Sequence, residues 1–492
     1  MQELRKAQIN ALECFNDYYY NNNNKNGILS ACCGFGKTRL CYEIIKLCNK
    51  KNQETKFIIA TSRIKLIEDM KRDFEKWCLY DNLNAKLFNV GGLDKNKLNP
   101  DEINIVFETN AITKKTLTII ITTYDSSKHV YDNLKSKKKL WPNLIIFDEA
   151  HNTISNKQKF HQNLMKLESD KKLYMTATPL KLIFKNKNIF SKNFQKHNVF
   201  SMDNEDLYGK IFYEYSFYQG IQDNIIVPFY HLKLKNEYGN NQFINNIGKK
   251  IDKMEKIDKL KTYFKNIANY LIKCIKSFDL KHILVFLSDK TKLNLFKIIL
   301  ESISKDYHVY SIISGNSKKE RIQNEEDFKK SNGVRILLSV GIYNEGIDIP
   351  CIDSVMFTHA RTSPTTIIQN IGRCLRTYST GTYTKKCAYV IIPTIVYMYG
   401  NNNYSSQFKE IRKIVDILQI DTQNQFHSKL IDENTKPQNN KDTYKSNQLV
   451  NKNNITNNIN LENIPDIISY YKIECSNNRL GNTTLEELKK IG

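Results

Sequence analysis

Four short blocks carry the residue types that phosphate chemistry needs: ACCGFGKT at 31–38, DEAH at 148–151, TAT at 176–178 and QNIGRCLR at 369–376. In the first, Gly34 and Gly36 let the backbone curl so that its N–H groups face phosphate oxygens, and a helix opening at Lys37 adds its positive end. Ala31, Cys32, Cys33, Gly34, Phe35, Gly36, Lys37 and Thr38 therefore form the candidate cradle for a nucleoside triphosphate. Lys37 is expected to reach the β- and γ-phosphates, and the Thr38 hydroxyl to ligate Mg²⁺. Asp148, at the end of the apolar run LIIF, can hold the same Mg²⁺ directly or through water. Glu149, one residue on, is placed to position and deprotonate an attacking water. Phosphoryl transfer asks for positioning and charge neutralisation more than covalent chemistry, and this residue set supplies both. QNIGRCLR adds Gln369, Arg373 and Arg376, whose i, i+3 arginine spacing predicts one shared helix face. Planar, permanently charged guanidinium groups suit a γ-phosphate whose charge spreads in the transition state.

These blocks need a frame that sets them at strand ends. GILSA (27–31), KFIIAT (56–61), LTIIITT (117–123), NLIIFD (143–148) and KKLYMTA (171–177) read as buried strands, with helical stretches from Lys37 to Cys48 and from Ile64 to Cys78 between them. A second series follows: HILVFLS (282–288), HVYSII (308–313), VRILLSV (334–340), SVMFTHA (354–360) and CAYVIIP (387–393). Strand–helix alternation with continuous apolar strands predicts an α/β fold, a parallel sheet covered by helices on both faces, made twice in tandem. FYHLKLK (229–235) reads as an isolated strand within a linker that runs into a helical stretch ending near 277. Beyond 400 the signal fades. Residues 408–418 fit a helix, 433–460 are rich in Asn, Lys and Gln with few large apolar side chains, and 464–492 fit one or two helices, so a weakly ordered C-terminal extension is expected. The domain expectation is 1–205 and 276–400 for the two α/β domains, 206–275 for linker and lead-in, and 401–492 for the extension.

The 492 residues exceed one ordinary domain, and their apolar share of 40% allows sizeable cores. A formal charge of +23, spread along the chain, favours a polyanionic partner, because each Lys or Arg at a phosphate releases counterions. The 11 cysteines are odd in number and lack zinc spacing, so they fit core thiols in a reducing compartment rather than a disulfide framework. MQELRKAQINALECF lacks the pattern of a signal peptide, and no apolar run approaches the roughly 20 residues that cross a bilayer. An intracellular protein with no membrane contact is expected, cytoplasmic or, for a virus, associated with the factory or virion.

In this order the blocks make the chain resemble the superfamily-two helicases and translocases of DEAH type, over about residues 4 to 395. LRKAQ (4–8) resembles their adenine-recognition lead-in, SRIKLIED (62–69) stands at motif Ia, ITTYDSS (121–127) at the Thr-containing Ib block and MTATP (175–179) at motif III. HILVFLSDK resembles motif IV and SVGIYNEGIDIP (339–350) motif V. The resemblance implies two RecA-like domains with ATP between them and nucleic acid across both. It implies that Gln8 senses adenine, that Gly346 and Asp348 touch the nucleotide, and that His151, Thr176 and Thr178 couple hydrolysis to strand contacts. Phosphates of the strand would meet Arg63, Thr122, Thr123, Ser314, Gly315 and Ser339, which fix a backbone without reading sequence. Cys32-Cys33 stands where many relatives have Pro-Thr. CGFGKT is similar instead to transcription-and-repair DNA helicases and some large-virus helicases. EGIDIP and QxxGRxLR resemble the branch of restriction-enzyme motors and DNA-repair translocases. The expected activity is Mg-ATP hydrolysis coupled to movement along or unwinding of DNA. RNA unwinding is the rival within enzymes, and an ATP-gated nucleic-acid-binding switch the rival outside them.

Overall fold

The computed structural model describes residues 3–91, 102–113, 116–154, 162–177, 202–236, 256–303, 306–313, 316–330, 333–341, 349–359, 364–381, 383–393, 411, 414, 415, 418, 471–477 and 481–483. The chain divides into two compact units, Met1–Gly220 and Ile221–Gly492.

Among the described residues, the first unit holds seven strands: β1 (Asn26–Ala31), β2 (Lys56–Thr61), β3 (Ala85–Val90), β4 (Leu117–Thr123), β5 (Leu144–Asp148), β6 (Lys171–Thr176) and β7 (Lys210–Tyr215). They lie in the order β3-β4-β2-β5-β6-β1-β7, and every pairing is parallel. Helices α1 (Lys6–Asn16), α2 (Lys37–Asn52), α3 (Ile64–Tyr80), α4 (Ile103–Thr113) and α5 (Ser127–Leu134) accompany them. Helices on both faces explain why the inner strands are continuous apolar runs: β4 is buried at all seven positions, and Phe57, Ile58, Ile59 and Ala60 of β2 are fully buried. β3 and β7 were not expected from the sequence. As edge strands they are partly exposed, so AKLFNV and KIFYEY carry no such run.

The second unit holds β8 (Phe229–Asn236), β9 (His282–Phe286), β10 (Tyr307–Ile312), β11 (Val334–Ser339), β12 (Ser354–Phe357), β13 (Ala388–Ile391), β14 (Tyr471–Asn477) and β15 (Gly481–Thr483). Their order is β10-β11-β9-β12-β13-β8-β14-β15, parallel from β10 to β8 and antiparallel thereafter. The helix Lys256–Phe278 lays Phe264, Ile267, Leu271 and Cys274 into the same core as Ile283, Val285, Ile336 and Met356. The two tandem parallel α/β sheets match the expected fold.

Two readings of the sequence are corrected. FYHLKLK is not isolated: β8 pairs with β13 on one side and β14 on the other. Within 464–492, residues 471–477 and 481–483 are strands rather than helix, since YKIEC alternates apolar and polar residues with a period of two and β8 offers an open edge. Ile411, Ile414, Val415 and Leu418 are helical and buried, the i, i+3, i+4, i+7 face expected of 408–418. The stretch 433–460 lies outside the described residues. No helix among the described residues is long and apolar enough to cross a membrane.

Candidate nucleotide site and strand-end loops

Because the first sheet is parallel, all of its strands end on one edge. Strand order then places the motifs side by side along it: Thr122 and Thr123 on β4, Thr61 before Arg63 on β2, Asp148 on β5, Thr176 on β6 and Ala31 on β1. Ligands of open α/β sheets bind outside such carboxyl ends.

At β1 the chain turns through Gly34 (φ 79°) and Gly36 (φ 88°) into α2, which begins at Lys37. Both glycines take the left-handed backbone that the cradle reading requires. The Cys32 amide donates to Tyr215 O at 3.0 Å, and the Lys37 ammonium donates to Ala31 O at 3.1 Å. Phe35, fully buried against the rings of Tyr213 and Tyr215, anchors the loop to β7. The loop is held from α1 as well. Gln8 Nε2 donates to the carbonyls of Phe35 (3.1 Å) and Gly36 (3.3 Å), its Oε1 accepts from the Arg5 amide (3.0 Å), and the Arg5 guanidinium donates to Gly34 O (2.7 Å). The structure thus gives Gln8 a loop-holding place. Arg5 was not among the expected site residues, although it lies in the LRKAQ block.

β5 ends at Asp148, and Glu149 takes a left-handed φ of 50°. For a residue with a side chain this costs about 1–2 kcal/mol, a strain typical of functional turns. Tyr124, which sequence reasoning also missed, is fully buried and holds the turn by donating its hydroxyl to Asp148 O at 2.7 Å. Burial, and then the charges of Asp148 and Glu149, push that phenol well above its ordinary range. His151 Nδ1 lies 3.2 Å from Thr176 Oγ1 and 3.5 Å from Glu149 Oε2, so one imidazole joins the DEAH turn to the TAT strand end. Glu149 Oε2 is buried and makes no hydrogen bond among the described residues.

A Mg²⁺ ion fits the donor set, since Thr38 and Asp148 offer hard oxygens. Burial most of all, and then the Asp148 carboxylate, raise the Cys41 thiol, while the Lys37 ammonium lowers it, so both charges bear on the first turns of α2 where Thr38 stands. Among the described residues there is no separate His, Cys, Asp and Glu cluster for a metal.

The arginine pair departs from expectation. The helix Pro364–Gly372 carries Gln369 but ends before Arg373, so the two arginines do not share a helix face. Arg373 sits in a turn, its amide donating to Asn370 O at 3.3 Å, and Arg376 bridges in extended form to Ile226. Leu375 O, between them, accepts from the Val227 amide at 2.8 Å. Gly372 ends the helix, and this pairing with residues 226–227 carries the chain onward as extended backbone.

Of the expected strand contacts, Thr122 and Ser339 are fully buried, and the Thr122 hydroxyl donates to Thr123 O. Thr123 Oγ1 meets Ser126 Oγ at 3.1 Å and accepts from its amide. Strand-end hydroxyls here serve the local backbone. Arg63 precedes α3, half-buried. Thr178, Ser314, Gly315, Gly346 and Asp348 lie outside the described residues.

Residues 1–181 match the family described as "Type III restriction enzyme, res subunit", and residues 266–378 match "Helicase conserved C-terminal domain". A curated relative, "Probable helicase A859L" of African swine fever virus (isolate Tick/Malawi/Lil 20-1/1983), is 26% identical over 369 residues, 72% of this chain and 38% of that protein. Among solved structures, an "ATP-dependent Type ISP restriction-modification enzyme LlaBIII bound to DNA" superposes with a TM-score of 0.63 at 19% identity, over 84% of this chain and 30% of that one. A nuclease-deletion mutant of the type ISP enzyme LlaGI, with a DNA substrate mimic, gives 0.56 at 18% identity, over 84% and 29%. The chain spans less than half the length of each of these three proteins.

Proposed function

The chain belongs to the superfamily-two helicases and translocases, and from that premise we propose that it hydrolyses Mg-ATP to drive movement along, or unwinding of, DNA. The observation that carries this reading is the turn at Glu149: a carboxylate on a left-handed backbone, with a buried oxygen that makes no hydrogen bond among the described residues, two strands from the glycine cradle and tied through His151 to the neighbouring strand end.

The backbone amides of 34–37 and the Lys37 ammonium hold the phosphates of ATP, and Gln8 keeps the loop that presents them in shape and contacts adenine. Mg²⁺ bound by Thr38 and Asp148 supplies charge neutralisation at the phosphates. Glu149 orients water and takes its proton. Arg373 and Arg376, with Gln369, supply the charge that the γ-phosphate demands in the transition state, together with nucleotide contacts from Gly346 and Asp348. His151 and Thr176, with Thr178, pass the state of this turn along the strand edge towards Arg63 and Thr123, and Ser314, Gly315 and Ser339 add strand contacts from the second unit. With Thr122 and Ser339 buried, backbone amides at those strand ends make the phosphate contacts there. The net charge of +23 supports a polyanion as the partner.

DNA is favoured over RNA by the GFGKT and EGIDIP blocks, which resemble those of DNA-acting motors. The test is displacement of streptavidin from a biotinylated single strand. ATP-dependent displacement from DNA, absent with a non-hydrolysable analogue, is expected. ATP hydrolysis without displacement of streptavidin from DNA or RNA refutes movement and leaves the switch reading.

A further inference from the structure

Lys385 is 97% buried in the second unit, being 3% exposed, yet none of its hydrogen-bond partners among the described residues is a carboxylate. Its ammonium donates to three backbone carbonyls, those of Pro350 (2.8 Å), Ile352 (2.9 Å) and Cys374 (3.1 Å). An ammonium has three donors, and all three are used. The three acceptors are not neighbours in sequence. Pro350 and Ile352 follow directly on EGID, and Cys374 lies between Arg373 and Arg376. Burial pushes the Lys385 ammonium below its ordinary range, and the Arg376 guanidinium adds to that fall. A cation kept in such a place has a geometric task that no apolar side chain could perform.

The arginine segment needs that task done. Its helix stops at Gly372, so from Arg373 onward its course is set by tertiary and turn bonds, among them the amides of Arg373 and Cys374 donating to Asn370 O and Ile371 O, the pairing of Leu375 O with Val227 N and the Lys385 bond to Cys374 O. A second anchor holds Lys385 itself, whose amide donates to Tyr378 O at 2.9 Å.

We propose that Lys385 is a positioning residue that ties the segment after EGID to the segment carrying Arg373 and Arg376, so that the two report on one nucleotide as a unit. This rests on the ATPase reading given above. Lys385 touches neither substrate nor metal. It acts through the arginines, and its loss lowers turnover without changing nucleotide affinity.

The test uses the full chain. Lys385→Met keeps the stem and removes the three donors. Its kcat for ATP is expected to fall at least tenfold, with the ATP dissociation constant within twofold of wild type. In an Arg376→Ala background the same substitution is expected to lower kcat by less than twofold, because two residues acting as one device are not additive. A wild-type kcat in Lys385→Met, or a full tenfold loss on top of Arg376→Ala, overturns the proposal. Lys385→Gln, which keeps two donors and drops the charge, serves if the Met variant does not fold; a kcat between wild type and one tenth of it is expected, and an unchanged kcat overturns the tether. Amide hydrogen exchange separates the two levels of failure. Faster exchange at 351–353 and 374–376 in either variant, beside a wild type that hydrolyses no ATP, supports the tether and refutes the ATPase reading; unchanged exchange refutes the tether.

Discussion

Gly36→Ala puts the loop-holding role of Gln8 to a quantitative test. Gly36 sits at φ 88°, and a Cβ there would stand 2.5 Å from Gln8 Nε2. The left-handed backbone costs a residue with a side chain about 1–2 kcal/mol. The clash is with the mobile end of a side chain, so the amide moves rather than the backbone. Moving it breaks the bonds to Phe35 O and Gly36 O, a net loss of about 1 kcal/mol each. The single variant should therefore lose about 3–4 kcal/mol of stability in the first unit. Gln8→Ala alone loses those two bonds and the one from the Arg5 amide, about 3 kcal/mol. In the double variant the two shared bonds are lost only once, so its cost should be about 4–5 kcal/mol, some 2 kcal/mol below the sum of the singles. Both tryptophans of the chain, Trp77 and Trp141, belong to the first unit, so urea titration followed by tryptophan fluorescence reads that unit alone. Nucleotide affinity should weaken in all three variants. Additive losses, or Gly36→Ala costing no more than backbone strain, would show that Gln8 does not hold the loop.

Glu149→Gln should lower ATP turnover by about 10²–10⁴ while nucleotide affinity stays within threefold, checked by steady-state hydrolysis and a fluorescent-nucleotide titration, since only the proton acceptor is lost. His151→Ala removes the link from Glu149 to Thr176; basal hydrolysis should persist within about tenfold while stimulation by nucleic acid disappears, and equal loss of both would deny His151 a coupling role. Asp353 is buried where its carboxyl accepts from the amides of Lys281 and His282 and from the Ser354 hydroxyl, and burial raises it from 3.8 to about 6. Between those values the folded chain keeps a proton that the unfolded chain has released, so stability falls as pH rises from about 4 to 6 and levels off above; the drop is about 3 kcal/mol. Melts by circular dichroism of wild type and Asp353→Asn should differ in slope across that window, and parallel pH profiles would refute the assignment.

Strands with both faces covered were the most legible part of the sequence. β2 and β4 are the runs KFIIAT and LTIIITT with unchanged limits, because a parallel strand buried on both faces leaves an uninterrupted apolar signature. The glycine turn and the DEAH strand end were equally plain, since their chemistry restricts the residue types. Edge strands β3 and β7 were hidden by half-exposed faces, and β14, with β15 beside it, by a polar stretch, since the partner of β14 lies more than two hundred residues upstream. A spacing of three between Arg373 and Arg376 suggested a helix face, but Gly372 and the pairing with 226–227 end the helix first. Tertiary contacts of this kind leave no mark in local spacing. The same holds for Lys385, which looks in KKCAYV like any surface lysine, and for Tyr124, which looks like a core tyrosine.

The steady-state ATPase rate, measured at low salt alone and with single-stranded DNA, duplex DNA or single-stranded RNA, tests the central claim most directly. With Glu149→Gln as the background control, strong stimulation by DNA and little by RNA is the predicted result. Hydrolysis unmoved by any polymer, or no hydrolysis above the control, would contradict a nucleic-acid-driven motor.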